Sequence, residues 1–326
     1  MDPLTHTLTG LALSRAGLNR LTPHATPILL VAANAPDLDI VTLAASTADY
    51  LHFHRHLTHA FIAVPFMALF AVGLVRLFAR KPLNWKWAYA VALAGALSHP
   101  LLDWLNSYGI RLLLPFSSEW LHLDLVSLPD LWMWVVLIGA AFAPLLSRLV
   151  NSEIGARPGS GRGFAVMALC FVVLYPFGRY LLHERAVAVL NSRLYEGAPP
   201  TRVMALPGIA NPFAWRGVVE TGAFYSILDV NLLREFDPAG GRVLYKPELR
   251  PREAAAARAA RSTKAFRSFL EFSQLPYWRV VPLDHPQDAM RVEASDLRFG
   301  APPQSRFVAS AIVDARGRVL EAHFRY

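Results

Sequence analysis

The sequence predicts a mainly α chain: a polytopic helical membrane domain over residues 1–182, then a smaller α+β soluble domain over residues 183–326. Three observations carry this. Of the 326 residues, 54% are hydrophobic and only 17% charged, against roughly 25% charged in an average soluble domain. Four apolar runs approach the roughly 17–25 residues that a spanning helix needs. After Leu182 no such run recurs, and short alternating segments take over.

Residues 5–18 and 26–45 are apolar with breaks, the second holding "NAPDLD", and read as two short or re-entrant helices. Polar backbone at that depth is tolerated only against protein or a water-filled cavity. The clear spans are 60–78, 87–102 (interrupted only by Ser98 and His99), 131–147 and 163–178. Trp85, Trp87, Trp132, Trp134 and Tyr180 stand at their ends, as interfacial aromatics do. In the tail, "GRVLYK", "AMRVEASDLRF" and "RFVASAIVDARGRVLEAHF" read as strands, the last turning at "DARG". "PREAAAARAARSTKAFRSFLEF" reads as one helix opened by Pro251.

Charge orients the spans. Arg15 and Arg20, then Arg76, Arg80, Lys81 and Lys86, then Arg148, Arg157 and Arg162 around the linker "GARPGSGRG", occupy three connections. With those on the cytoplasmic side, alternation gathers His6, Asp37, Asp39, the histidines of 52–59, His99, Asp103, His122, Asp124 and Asp130 at the opposite face. The tail domain falls on the same side. The start "MDPLTHTLTG" has no basic stretch and no lipidation motif, so insertion is expected from internal segments.

The residues at that face have coordination chemistry. In "SHPLLDWLNSYG", His99 and Asp103 are four apart, so a helix puts both on one face, with Asn106 beyond them. In "NAPDLD", two carboxylates two residues apart repel unless a cation or arginine lies between them; Arg55 is one candidate. In "HRHLTH" the expected ligands are His54 and His59, with Thr58 orienting a neighbour or capping the next helix. His6 adds an imidazole from "THTLTG", and "HLDLVSLPDLW" adds His122, Asp124 and Asp130. Imidazole plus carboxylate without thiolate suits a divalent metal, zinc first, then manganese or iron.

Other classes are excluded or lack support. The net charge of +8 is spread along the chain without a basic run interleaved with aromatics, so no nucleic-acid partner is expected. Cys170, the lone cysteine, rules out an intrachain disulfide and cysteine-rich zinc modules. There is no G-x-S-x-G elbow, and "GSGRG" lacks the Lys-Ser/Thr ending of a phosphate-binding loop.

"THTLTG", "PDLD", "HRHLTH", "SHPLLDWLNSYGIRLLLPFS" and the W-x3-D-x5-D run from Trp120 to Asp130 resemble the YdjM-type family over about residues 1–180. Its members are usually described as LexA-regulated, membrane-bound, metal-dependent hydrolases of the bacterial inner membrane. "NPFAWRGVVET" at 211–221 looks like the tail of longer members. The resemblance also implies a distant similarity to zinc-dependent phospholipase C and P1-type nucleases, which cleave phosphoesters. On that basis His6, Asp37 or Asp39, His54, His59, His99 and Asp103 form the metal shell, with one or two metals. Asp124 and Asp130 match carboxylates that recur in the family pattern.

The expected function is therefore an inner-membrane metal-dependent hydrolase acting on a phosphoester of a lipid or envelope component. Asp37 or Asp39 would bridge metals or act as base, and Arg55 would hold a phosphate. The competing expectation is a non-enzymatic membrane protein with a structural metal and a partner-binding tail. The expected partners are the lipid bilayer and a small-molecule or lipid substrate.

Overall fold

The computed structural model describes residues 1–153, 161–286 and 288–326. Most of the linker at 155–163, with Arg157, lies outside the described residues, as does the side chain of Arg148.

Helix α1 (Pro3–Ala16) starts where Asp2 accepts from the Thr5 amide at 3.0 Å, with proline at the first helical positions. Helix α2 (Ala25–Asn34) is followed directly by a 3-10 segment, Ala35–Ala44, which carries both aspartates of "PDLD". Helix α3 (Thr47–Phe53), capped by Ser46, leads into the histidine loop, and α4 (Val64–Phe78) follows. Helix α5 (Trp85–Trp104) runs through Pro100 and delivers His99 and Asp103. Helices α6 (Leu131–Glu153) and α7 (Arg162–Asn191) complete the helical half.

Among the described residues three helices are long and apolar enough to cross a membrane: Ala25–Ala44, Phe61–Phe78 and Arg162–Asn191. Leu131–Ser147 is a shorter apolar helix. The predicted spans at 60–78 and 163–178 are thus helices of spanning length, whereas the run at 87–102 is not among them. Its helix, α5, is central: Ala88, Val91, Ala92 and Ala96 are buried in one cluster with α2 and α4 residues such as Leu29, Ala32, Ala68 and Val72. The stretch at 26–45, read as a short or re-entrant helix, instead falls within an apolar helix of spanning length, Ala25–Ala44.

The tail holds two four-stranded antiparallel sheets, each in sequence order. The first is β1 (Arg202–Pro207), β2 (Ala214–Glu220), β3 (Phe224–Asn231) and β4 (Arg242–Tyr245). The second is β5 (Pro276–Pro282), β6 (Met290–Asp296), β7 (Val308–Val313) and β8 (Val319–Arg325). The strands read from "GRVLYK", "AMRVEASDLRF" and the DARG hairpin are β4, β6 and β7–β8; the other four went unread. The helix predicted over 251–272 is two, α8 (Pro251–Arg261) and α9 (Lys264–Phe272), parted where the Thr263 hydroxyl caps the second. With these strands the chain is about half helical, so "mainly α" holds only approximately.

Helix α7 crosses the expected boundary at 182, and its last turns bury Ala186 and Leu190 against Trp215, Val219 and Leu228 of the first sheet. The second sheet shares one core with the helical half: Leu51, Tyr108 and Trp120 pack among Phe266, Phe269, Phe272 and Phe324.

Candidate metal centre

Four segments converge on one buried cluster. Helix α1 supplies His6, the 3-10 segment Asp37 and Asp39, the histidine loop His54, Arg55 and His59, and α5 His99 with Asp103 one turn on. At roughly three residues per turn, side chains two apart diverge by about 120°, so Asp37 and Asp39 face different partners.

Asp39 is held by the histidine loop. Its Oδ2 accepts the Arg55 amide at 3.0 Å and the Thr58 hydroxyl at 3.3 Å, while Oδ1 lies 3.0 Å from His54 Nδ1. The same Oδ2 is 3.3 Å from His59 Nδ1. Arg55 itself has a left-handed backbone, φ 55°, a conformation a bulky residue adopts only when its surroundings enforce it. Its guanidinium donates to Asn106 Oδ1 at 3.0 Å and the Gly109 carbonyl at 3.1 Å, and lies 3.1 Å from Asp103 Oδ1. The Met1 amino group also pairs with Asp103 Oδ1.

The remaining imidazoles turn their Nε2 atoms inward. His99 Nδ1–H donates to the Ala33 carbonyl at 2.7 Å, which leaves the Nε2 lone pair free to ligate. The His6 ring stacks on His99 at 3.8 Å between centroids. His6, His59 and His99 are fully buried, and none of their Nε2 atoms has a hydrogen-bond partner. They lie instead near two carboxylates: His6 is 3.4 Å from Asp103 Oδ1, and His59 is 3.4 Å from Asp37 Oδ1 and 3.6 Å from Asp103 Oδ2. His99 is 3.6 Å from Asp37 Oδ1 and 3.5 Å from Asp103 Oδ2. These separations are long for hydrogen bonds. They match the edge of about 3.4 Å between tetrahedral ligands placed about 2.0–2.1 Å from a common ion.

Three overlapping groups have ligand atoms within 4.8 Å of one another: His6, His99 and Asp103; Asp37, His59 and His99; Asp39, His54 and His59. The residues therefore fit a divalent cation. Burial pushes the His59 imidazole down to about 3, so it is neutral and competent to ligate at ordinary pH.

The structure does not bring Asp124 and Asp130, the other two expected metal carboxylates, into these groups. Asp124 Oδ2 pairs with His122 Nδ1 at 2.9 Å. Asp130 caps α6, accepting from the Trp132 and Met133 amides at 3.1 Å each, and takes the Tyr175 hydroxyl at 3.3 Å. His52 lies instead 3.3 Å from Glu271.

Sequence reasoning missed the Met1 amino group and a cavity of about 370 Å³ onto which Asp37 and Arg55 open. Two of its walls, Phe307 and Tyr326, come from the second sheet's end of the chain. No local pattern pairs them with a histidine loop some 250 residues earlier.

Comparison with known proteins finds no curated protein and no solved structure that matches, zinc-dependent phospholipases and nucleases included. Residues 255–326 match the YfhP C-terminal alpha/beta plait domain. Residues 1–186, more than half of the chain, match the model described as YdjM inner membrane protein. With that match and, among the described residues, three helices long and apolar enough to cross a membrane, the chain belongs to the YdjM inner membrane protein family.

Proposed function

We propose that the protein is a metal-dependent hydrolase of the inner membrane, with one or two divalent ions held by His6, Asp37, His59, His99 and Asp103. The observation that carries this is the set of three buried Nε2 atoms, unpaired, aimed at two carboxylates at 3.4–3.6 Å. Zinc is the first choice for such a ligand set. A bound divalent cation lowers the pKa of water and polarises a phosphoryl oxygen. Asp37, with 24% of its side chain exposed, opens onto the cavity and is placed to take a proton. Asp39 is engaged with Arg55, His54 and Thr58 and acts by orienting His59. Arg55 keeps an Nε–H without an acceptor, which suits it to an anionic substrate oxygen.

The opening at Asp37 favours a reactive site over a structural one, since structural zinc sites are closed. The substrate class in this reading is a phosphoester of a lipid or envelope component. The basic connections carrying Arg15, Arg20, Arg76, Arg80, Lys81 and Lys86 support a periplasmic site and tail. One experiment tests metal and side together. In right-side-out membrane vesicles, an impermeant chelator outside abolishes hydrolysis of an added phosphoester, and zinc restores it. Activity that survives chelation from both sides contradicts the metal reading. Inhibition only in inverted vesicles reverses the orientation.

A further inference from the structure

The cavity beside the cluster is built from both halves of the chain. Its polar floor is Asp37, His54 and Arg55. Tyr50 and Tyr108 from the helical half form one wall, Phe307 and Tyr326 from the tail the other. The rings touch in sequence: Tyr50 meets Tyr326 at 5.7 Å, Tyr326 meets Phe307 at 5.0 Å, and Phe307 meets Tyr108 at 5.7 Å between centroids. The Arg55 guanidinium lies 4.6 Å over the Tyr108 ring, which joins wall to floor.

The tail is fixed where it makes this wall. Buried Arg298 donates to the Ser107 carbonyl at 2.9 Å and the Phe272 carbonyl at 3.0 Å. The Thr47 hydroxyl donates to the Phe324 carbonyl at 2.6 Å. Phe307, like Arg55, has a left-handed backbone at φ 55°. Two bulky residues in that conformation on one cavity are consistent with strain retained at a functional site.

Part of the cavity's lining is apolar and exposed. Ile40 (56% exposed) and Leu128 (45% exposed) line it, and Ile40 belongs to the apolar helix Ala25–Ala44. A ligand that satisfies every part of this lining has an anionic end at Arg55 and the cluster, and an apolar body along the rings.

We infer that the C-terminal domain completes the substrate cavity, and that Phe307 and Tyr326 bind the apolar body of a lipid-type phosphate ester. This rests on the reading of the cluster as a phosphoester centre.

The test is equilibrium binding of hexylphosphonate, a phosphate-ester mimic with no ester bond to hydrolyse, and of inorganic phosphate to the zinc-loaded full chain. Hexylphosphonate should bind roughly tenfold or more tightly than inorganic phosphate, as burial of even a few methylenes requires. Phe307→Ala and Tyr326→Ala should each cut that preference severalfold, leaving zinc content and inorganic phosphate binding unchanged, while Tyr326→Phe retains it. Tyr326 is 42% exposed, so its replacement puts the fold at little risk. Equal binding of the two ligands, or a preference that persists in both alanine variants, overturns this inference alone. Failure of the zinc-loaded chain to bind either ligand contradicts the phosphoester reading and the inference with it.

Discussion

Asp37 and Asp39 stand two residues apart, and only one of them opens onto the cavity. The sequence named both without separating them, because their divergence depends on a 3-10 backbone that "NAPDLD" does not announce. His99 and Asp103 were legible as a pair, since spacing of four on a helix fixes a common face. Asp296 and Arg298 were not: read as strand residues, they form a buried pair at 2.8 Å that locks the tail onto Ser107. Burial alone would raise the Asp296 carboxyl, but Arg298 and the Arg298 and Gln274 amides hold it below its ordinary value. Its contribution is therefore in place above about pH 4 and is lost as acidification carries it through the lowered value. Asp296→Ala leaves the guanidinium buried without a carboxylate, and should cost about 3–5 kcal/mol. Unfolding measurements at neutral pH should show this loss, and the gap between wild type and variant should narrow in acid. A variant as stable as wild type would remove the pair from the account of how the tail is seated.

Helix α2 is held between α1 and α5 by residues with little or no side chain. A Cβ on Gly10 would lie 3.0 Å from the Leu29 carbonyl oxygen, and one on Gly95 would lie 3.0 Å from Ala32 Cβ and 3.2 Å from the same oxygen. Such close approach is how helices associate where lipid offers no hydrophobic drive. It also sets the height of His99, one turn beyond Gly95. Gly95→Val should cost about 1–3 kcal/mol by overpacking and reduce bound metal. Gly73→Ala, where nothing lies within 4 Å, should change neither. Equal behaviour of the two variants would show that this contact does not position the cluster. At this scale the sequence was partly informative: two of the four predicted spans were right as helices of spanning length. Composition did not show that α5 packs at the centre of the bundle. It also merged α8 with α9, since a threonine cap inside an alanine- and arginine-rich stretch leaves no break in the pattern.

Across the whole molecule, the tail read as a separate module is part of one construction. Helix α7 carries the chain from the apolar region into the core of the first sheet, and Phe272, Phe307 and Tyr326 close over Tyr108 and Tyr50 beside the cluster. Periodicity reports faces of single elements, so contacts between distant segments were out of its reach. The gathering of ligands from several segments was within it, because charge alternation assigns each segment a side of the membrane. The central claim is that those ligands share an ion. Elemental mass spectrometry of the detergent-purified chain tests it, with wild type beside His99→Ala and Asp103→Ala, and with Gly73→Ala as a control. Near-stoichiometric zinc, manganese or iron in wild type and control, lost in both ligand variants, is the predicted result. Wild type without metal even after supplementation, or metal retained in both ligand variants, would contradict it.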